Sequence, residues 1–96
     1  ESYVRRAGAK CTTFPTIVAV GDRSALPHAP PTLRRVNESD FLLLDWGACG
    51  PMYRSDLTRM IVTRAATGKV ESQFEKLYTV VLQAQQRAIA LKKNRR

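Results

Sequence analysis

Ninety-six residues, 44% of them hydrophobic and 25% charged, make one small domain or part of a larger one. Sixteen Lys and Arg against eight Asp and Glu give a formal net charge of +8. The basic residues are scattered without interleaved aromatics, so there is no stacking platform for bases, and no apolar run is long enough to span a bilayer.

The basic end Lys92-Lys93-Asn94-Arg95-Arg96 reads as a solvated helix terminus, where cations favour the negative end of the helix dipole. A nucleic-acid or membrane partner is not expected from it. Cys11 and Cys49 lack CxxC spacing and form no disulfide framework, which predicts reduced thiols in a cytoplasmic protein. Nothing reads as a targeting segment, and the start at Glu1 predicts an excised piece or a processed product.

In chain order, Tyr3, Val4 and Ala7 share a helical face and Gly8 suits a helix C-terminus, which predicts a last helical turn. Phe14 to Gly21 is β-branched and mostly apolar, so it reads as a strand buried on both faces. Asp22 to Asn37 reads as a loop, because Pro27, Pro30 and Pro31 forbid regular helix and stiffen the backbone around His28. Asn37 to Asp40 reads as a turn, and Phe41 to Ala48 as the second strand.

Gly50-Pro51 signals a turn. The stretches Met52–Arg54 and Leu57–Thr63 read as one or two return strands, with Asp56 on the side of Thr58. Ala65 to Val70 reads as a linker. Ser72-Gln73-Phe74-Glu75 matches a capping box, and Phe74, Leu77, Tyr78, Val81, Leu82, Ala88 and Ile89 follow helical periodicity. The order β-loop-β-β-α predicts an α/β (α+β) arrangement with a largely antiparallel sheet.

The chemistry concentrates in Asp45 and Asp56, eleven residues apart around the Gly-Pro turn. Asp45 follows three leucines, where a carboxylate is costly unless a cation or donor satisfies it. A hairpin brings neighbouring strands within about 5 Å, close enough for both carboxylates to reach one two-metal centre. The alternative is structural: Asp45 paired with Arg54 or Arg59, and Asp56 capping a turn. His28, the single histidine, is either a hydrogen-bonded loop residue or an acid/base or substrate-positioning group. Cys49, in the turn, reads as a bystander rather than a nucleophile.

Several stretches together resemble the pita-bread metallopeptidases, the group that includes prolidase, aminopeptidase P, methionine aminopeptidase and creatinase. Phe14-Pro15-Thr16-Ile17-Val18-Ala19-Val20-Gly21 is similar to that family's entry strand, and Ala25-Leu26-Pro27-His28-Ala29 to its active-site histidine loop. Asp45-Trp46-Gly47-Ala48 and Tyr53-Arg54-Ser55-Asp56-Leu57-Thr58-Arg59 resemble its DxGA…GYxSDxTR signature, in the form closer to prolidase and aminopeptidase P. Tyr78, Leu82 and Ala84-Gln85 fit the helix that follows, so the resemblance runs from about Ala7 to Lys93. Met52 departs from the usual glycine before Tyr53, and Met60 from a common second threonine.

The resemblance implies a partial pita-bread fold, with a curved, mostly antiparallel sheet and a C-terminal amphipathic helix. Residues 1–96 would be the first half of a catalytic domain. It implies two divalent ions, manganese favoured over cobalt, zinc or iron, that activate water against a scissile carbonyl. Asp45 would bind one ion and Asp56 bridge both. His28 would contact the substrate or the tetrahedral intermediate, and Thr58 would fix a ligand carboxylate. The remaining ligands, a histidine and two glutamates, would lie beyond Arg96.

The implied activity of the full-length protein is metallo-exopeptidase cleavage next to proline, with this chain alone inactive. Its partners would be a peptide substrate, the second half of the domain and, through an open sheet edge, further copies of itself. The alternatives are a creatinase-like C–N hydrolase and a non-catalytic binding module of the same fold.

Overall fold

The fold is that of a computed structural model, which describes residues 1–63 and 68–93. Helix α1 (Ser2–Arg6) is followed by β1 (Cys11–Thr12), β2 (Ile17–Val20), β3 (Phe41–Trp46), β4 (Ala48–Cys49), β5 (Leu57–Val62) and helix α2 (Gly68–Lys93). The chain divides into two compact units, one carrying the strands and the other carrying α2.

Helix α1 stops where the sequence places a stop. Gly8, at φ 102°, takes the left-handed conformation that L-residues avoid. Its N–H donates to the Arg5 carbonyl, and the Ala9 N–H donates to that of Val4, which satisfies the last helical acceptors.

β3 is the centre of a three-stranded antiparallel sheet in the order β2-β3-β5. The two ladders set Ile17 against Asp45 and Asp45 against Thr58. Directly opposed residues share a face, so Ile17, Ala19, Leu43, Asp45, Thr58 and Met60 lie on one side. Val18, Val20, Leu42, Leu44, Arg59 and Ile61 lie on the other. Ala19, Val20 and Leu42 are buried, joined by Ala29 from the loop, so the core of this unit is thin and lies near the sheet's middle.

The first predicted strand is shorter than expected. It spans Ile17–Val20, because Pro15 has no N–H for a ladder and Gly21 (φ 63°) turns the chain into a 3-10 helix, Gly21–Ala25. A second 3-10 turn, Val36–Glu38, occupies the expected turn before β3. The second predicted strand breaks at Gly47 into β3 and β4, and β4 pairs with β1, a strand absent from the sequence reading. Of the predicted return stretch Met52–Arg54, only Arg54 pairs, opposite Cys49.

Met52 does not disturb the turn. The Gly50 N–H donates to the Tyr53 carbonyl at 2.9 Å, and no non-glycine residue among those described has positive φ.

Helix α2 starts at Gly68, so the predicted capping box Ser72–Glu75 lies inside the helix rather than at its start. Gly68 to Val70 are helical rather than linker; the rest of the predicted linker, from Ala65, lies outside the described residues. Straight-chain residues and alanines dominate α2, which suits a long helix. Phe74 and Tyr78, one turn apart, stack with ring centroids 5.7 Å apart. Glu71 in the first turn and Lys92 and Lys93 in the last complement the helix dipole.

Candidate metal centre

Asp45 is placed by the ladder. It lies in β3 one residue before the strand's end, and Thr58 faces it from β5. The Thr58 hydroxyl donates to Asp45 Oδ1 at 3.2 Å. That bond holds one carboxylate oxygen and, because the carboxylate is rigid, orients the other with it. Arg59 faces Leu44 on the opposite side of the sheet, and its guanidinium donates to the Thr58 carbonyl at 2.8 Å. Among the described residues no ion pair involves Asp45 or Asp56, so the arginine-paired alternative for Asp45 is not what this fold adopts.

Asp56 is placed by the same hairpin one step further on. The Cys49–Arg54 bridge continues the β3–β5 register, which sets Asp56 across from Gly47. Alternation then brings Asp45, Asp56 and Thr58 to one face.

Gly47 is the hinge of this arrangement. A side chain on it would run into the Ser55 carbonyl and would lie 2.9 Å from Thr13 Oγ1. Only a glycine lets the Ser55 backbone pass so close. Ser55 is then held through its N–H, its hydroxyl and its carbonyl. Its N–H donates to the Ala48 carbonyl at 3.0 Å, its hydroxyl accepts from the Ala48 N–H at 2.9 Å, and its carbonyl accepts from the Thr13 hydroxyl at 3.1 Å.

His28 arrives from a loop. Its neighbour Ala29 is buried, which anchors the segment, while the imidazole is exposed. Two arginines hold the loop. Arg23 donates to the Pro30 carbonyl at 3.1 Å, and Arg34 donates to the Val20 carbonyl at 3.4 Å and pairs with the Asp22 carboxylate. The Arg34 guanidinium, first by hydrogen bonding and then by its charge, holds the Asp22 carboxyl below the usual carboxylate range.

These elements meet in one cavity of about 450 Å³. His28, Asp45 and Asp56 all line it, with Phe14, Pro15, Thr16, Ile17, Ala29, Pro30 and Pro31 making the rest of the wall. The strand entrance, the histidine loop and both acids of the signature therefore converge. Thr58 does not line the cavity; it meets the site through its hydrogen bond to Asp45. Cys49 is in β4 rather than in a turn, and it does not line the cavity.

The sequence profile of metallopeptidase family M24 matches residues 1–96. The chain belongs to metallopeptidase family M24. Over 89 residues it is 38% identical to a Xaa-Pro dipeptidase of Pyrococcus furiosus, covering 93% of this chain and 24% of that protein. It is also 38% identical over 90 residues to the uncharacterized peptidase YqhT of Bacillus subtilis, covering 94% of this chain and 24% of that one.

The solved structure of prolidase from Pyrococcus furiosus superposes with a TM-score of 0.70 at 39% identity, covering 88% of this chain and 24% of that chain. The M24 chain thus spans about a quarter of the length of these relatives. Its mixed α/β architecture, with antiparallel strands and a C-terminal helix, is of the pita-bread type expected from the sequence.

The donors suit a divalent cation in kind but not in number. Asp45 and Asp56 offer oxygen ligands on one cavity wall, and hard divalent cations take six or so such ligands. Among the described residues no three His, Cys, Asp or Glu side chains come together to hold an ion.

Sequence reasoning singled out the acids, His28 and Thr58. It missed Thr13, Arg23 and Arg34, whose roles depend on contacts between residues distant in sequence. The proline-stiffened loop was the one available signal that something must hold the Asp22–Asn37 segment. No helix among the described residues is long and apolar enough to cross a membrane.

Proposed function

We propose that this chain is the N-terminal part of the catalytic domain of a dinuclear-metal exopeptidase that cleaves peptide bonds next to proline. The observation that carries the reading is the single cavity lined by His28, Asp45 and Asp56, with Asp45 tethered by Thr58. The proline preference rests on the relatives described as Xaa-Pro dipeptidases.

In this reading Asp45 and Asp56 would hold the metal ions, and manganese would be the favoured ion. The chemistry such ions supply when bound is activation of water and polarisation of a carbonyl. Thr58 orients Asp45 by donating to Oδ1, so the carboxylate keeps one direction toward the cavity. His28, exposed on the cavity wall, is within the same space as a peptide seated against Asp45 and Asp56. It can donate a hydrogen bond to the peptide carbonyl and so hold negative charge that develops on that oxygen. The apolar wall of Phe14, Pro15, Ile17, Pro30 and Pro31 excludes water around the bound chain.

The further ligands come from the rest of the full-length protein, so the isolated segment binds metal weakly and turns over little. The test is hydrolysis of a Xaa-Pro peptide series by the full-length protein with added Mn²⁺, beside its Asp56→Asn variant. Cleavage that needs both the metal and Asp56 is the expected result. Metal binding without cleavage of any proline-linked peptide would point to another C–N hydrolase. Absence of both would point to a binding module.

A further inference from the structure

Cys11 and Cys49 are 38 positions apart, yet the β1–β4 ladder sets them directly opposite one another. Both thiols are free and half-buried. Opposed residues on antiparallel strands share a face, with Cα atoms about 4.5–5.5 Å apart. Disulfides span Cα separations of about 4.4–6.8 Å, so the ladder brings the two backbones within the range that a disulfide needs. Two backbone bonds bracket the pair and hold its register: Lys10 N–H to the Cys49 carbonyl at 2.9 Å and Thr13 N–H to the Gly47 carbonyl at 3.0 Å.

We propose that Cys11 and Cys49 are a reversible oxidation site, closing a cross-strand disulfide between β1 and β4 when the surrounding thiol pool becomes oxidised. The oxidant is a low-molecular-weight disulfide of the glutathione type. One cysteine thiolate attacks a sulfur of that disulfide, forms a mixed disulfide and expels one small thiolate. The second cysteine thiolate then attacks the protein-bound sulfur and expels the other. Two protein thiols are oxidised, one small disulfide is reduced to two thiols, and the protons released by the cysteines are taken up by the leaving thiolates.

The bond encloses β2, the His28 loop and β3 in one covalent loop. It also fastens β1 to the hairpin at the point where Thr13 holds the Ser55 carbonyl, next to Asp56. Part of the site that rests on weak contacts in the reduced chain would then rest on a covalent one.

The experiment is oxidation of the folded full-length protein in a series of reduced-to-oxidised glutathione ratios, followed by acid quenching and peptide mapping without reductant. The expected product is a peptide pair joined through Cys11 and Cys49, lighter than the reduced pair by two hydrogens, whose yield follows a single two-electron transition. In the Cys49→Ser variant Cys11 should instead be trapped as its glutathione adduct, and Cys11→Ser should trap Cys49 likewise. Either trapped adduct keeps the test decisive should the other variant misfold. Separate glutathione adducts on both cysteines of the unsubstituted protein, or bonds from either cysteine to other chains or residues, would overturn the proposal.

Discussion

The carboxylates and the histidine reach the same cavity by different routes. Asp45 sits in a ladder that runs from Phe41–Val62 to Trp46–Leu57, and Asp56 sits just before β5, between that ladder and an isolated Cys49–Arg54 bridge that keeps the same offset. Asp45's direction is then a consequence of strand alternation, and Asp56 is carried by the residues that bound it on both sides. His28 sits in a loop with no ladder, held by prolines, by buried Ala29 and by two arginines that reach backbone carbonyls. A ladder fails cooperatively, whereas a clamped loop fails one contact at a time. Substitutions in the hairpin should therefore cost stability and function together, and substitutions in the loop should loosen one wall of the cavity with little change elsewhere.

The largest effect is expected at Gly47. In Gly47→Ala the new methyl group meets the Ser55 carbonyl and Thr13, both held by other hydrogen bonds. Overpacking of this kind costs about 1–3 kcal/mol, with the upper end expected here because the obstacle is backbone. Gly50→Ala is the matched control. A side chain there meets only the Tyr53 carbonyl at 3.5 Å, an ordinary contact. Urea unfolding of the full-length protein should show a clear loss for the first variant and a small change for the second. Equal midpoints would mean that the close passage at Gly47 does not set the hairpin.

Next in size is Thr58. Thr58→Val keeps the shape and removes the donor to Asp45 Oδ1. Loss of a partner that orients a metal-binding carboxylate typically lowers metal affinity about 10–100-fold, and the lost hydrogen bond itself is worth about 1 kcal/mol of stability. Calorimetric titration of Mn²⁺ into the full-length protein should register the fall, and Thr58→Ser should restore most of it. Unchanged affinity in Thr58→Val would separate Asp45's placement from Thr58 and leave the strand alone responsible.

The same contrast explains what could be read from the sequence. That Asp56 lies on the side of Thr58, across a Gly-Pro turn from Asp45, was legible because alternation along a strand fixes which residues share a face; the pairing of Thr58 with a carboxylate came from the family resemblance and not from periodicity. The β-β-α order and the amphipathic stretch Phe74–Ile89 were legible for the same reason, since period is local. The break at Gly47 was not, because it goes with the close passage of the Ser55 backbone over that residue, a contact made across the turn rather than along the chain. β1 was missed because a two-residue strand carries no periodicity, and its partner β4 is distant in sequence, with Cys11 opposite Cys49. The start of α2 was misplaced because Ser72-Gln73-Phe74-Glu75 satisfies a capping pattern that the helix passes through. Arg23 and Arg34 look like ordinary surface charges in sequence. Their targets, the Pro30 and Val20 carbonyls, are defined only once the loop closes.

The smallest effect is expected in the loop, and it depends on pH. Asp22 gains its hydrogen bond and its neighbouring charge from Arg34 only in the folded chain, so its carboxyl titrates below the usual value of about 3.9. A carboxyl depressed by folding adds stability above its unfolded value and loses that contribution as pH falls through the folded one. The contact is open to solvent and screened by salt, so the loss should loosen the loop without unfolding the sheet. Carboxyl ¹³C NMR of the full-length protein should show Asp22 titrating below an ordinary Asp. In Arg34→Ala it should return to the ordinary range, and the resonances of His28 and Ala29 should broaden or shift already at neutral pH. An Asp22 titration that ignores Arg34→Ala would remove the clamp. The burial of Ala29 and the stiffness of Pro27, Pro30 and Pro31 would then be what keeps His28 on the cavity wall.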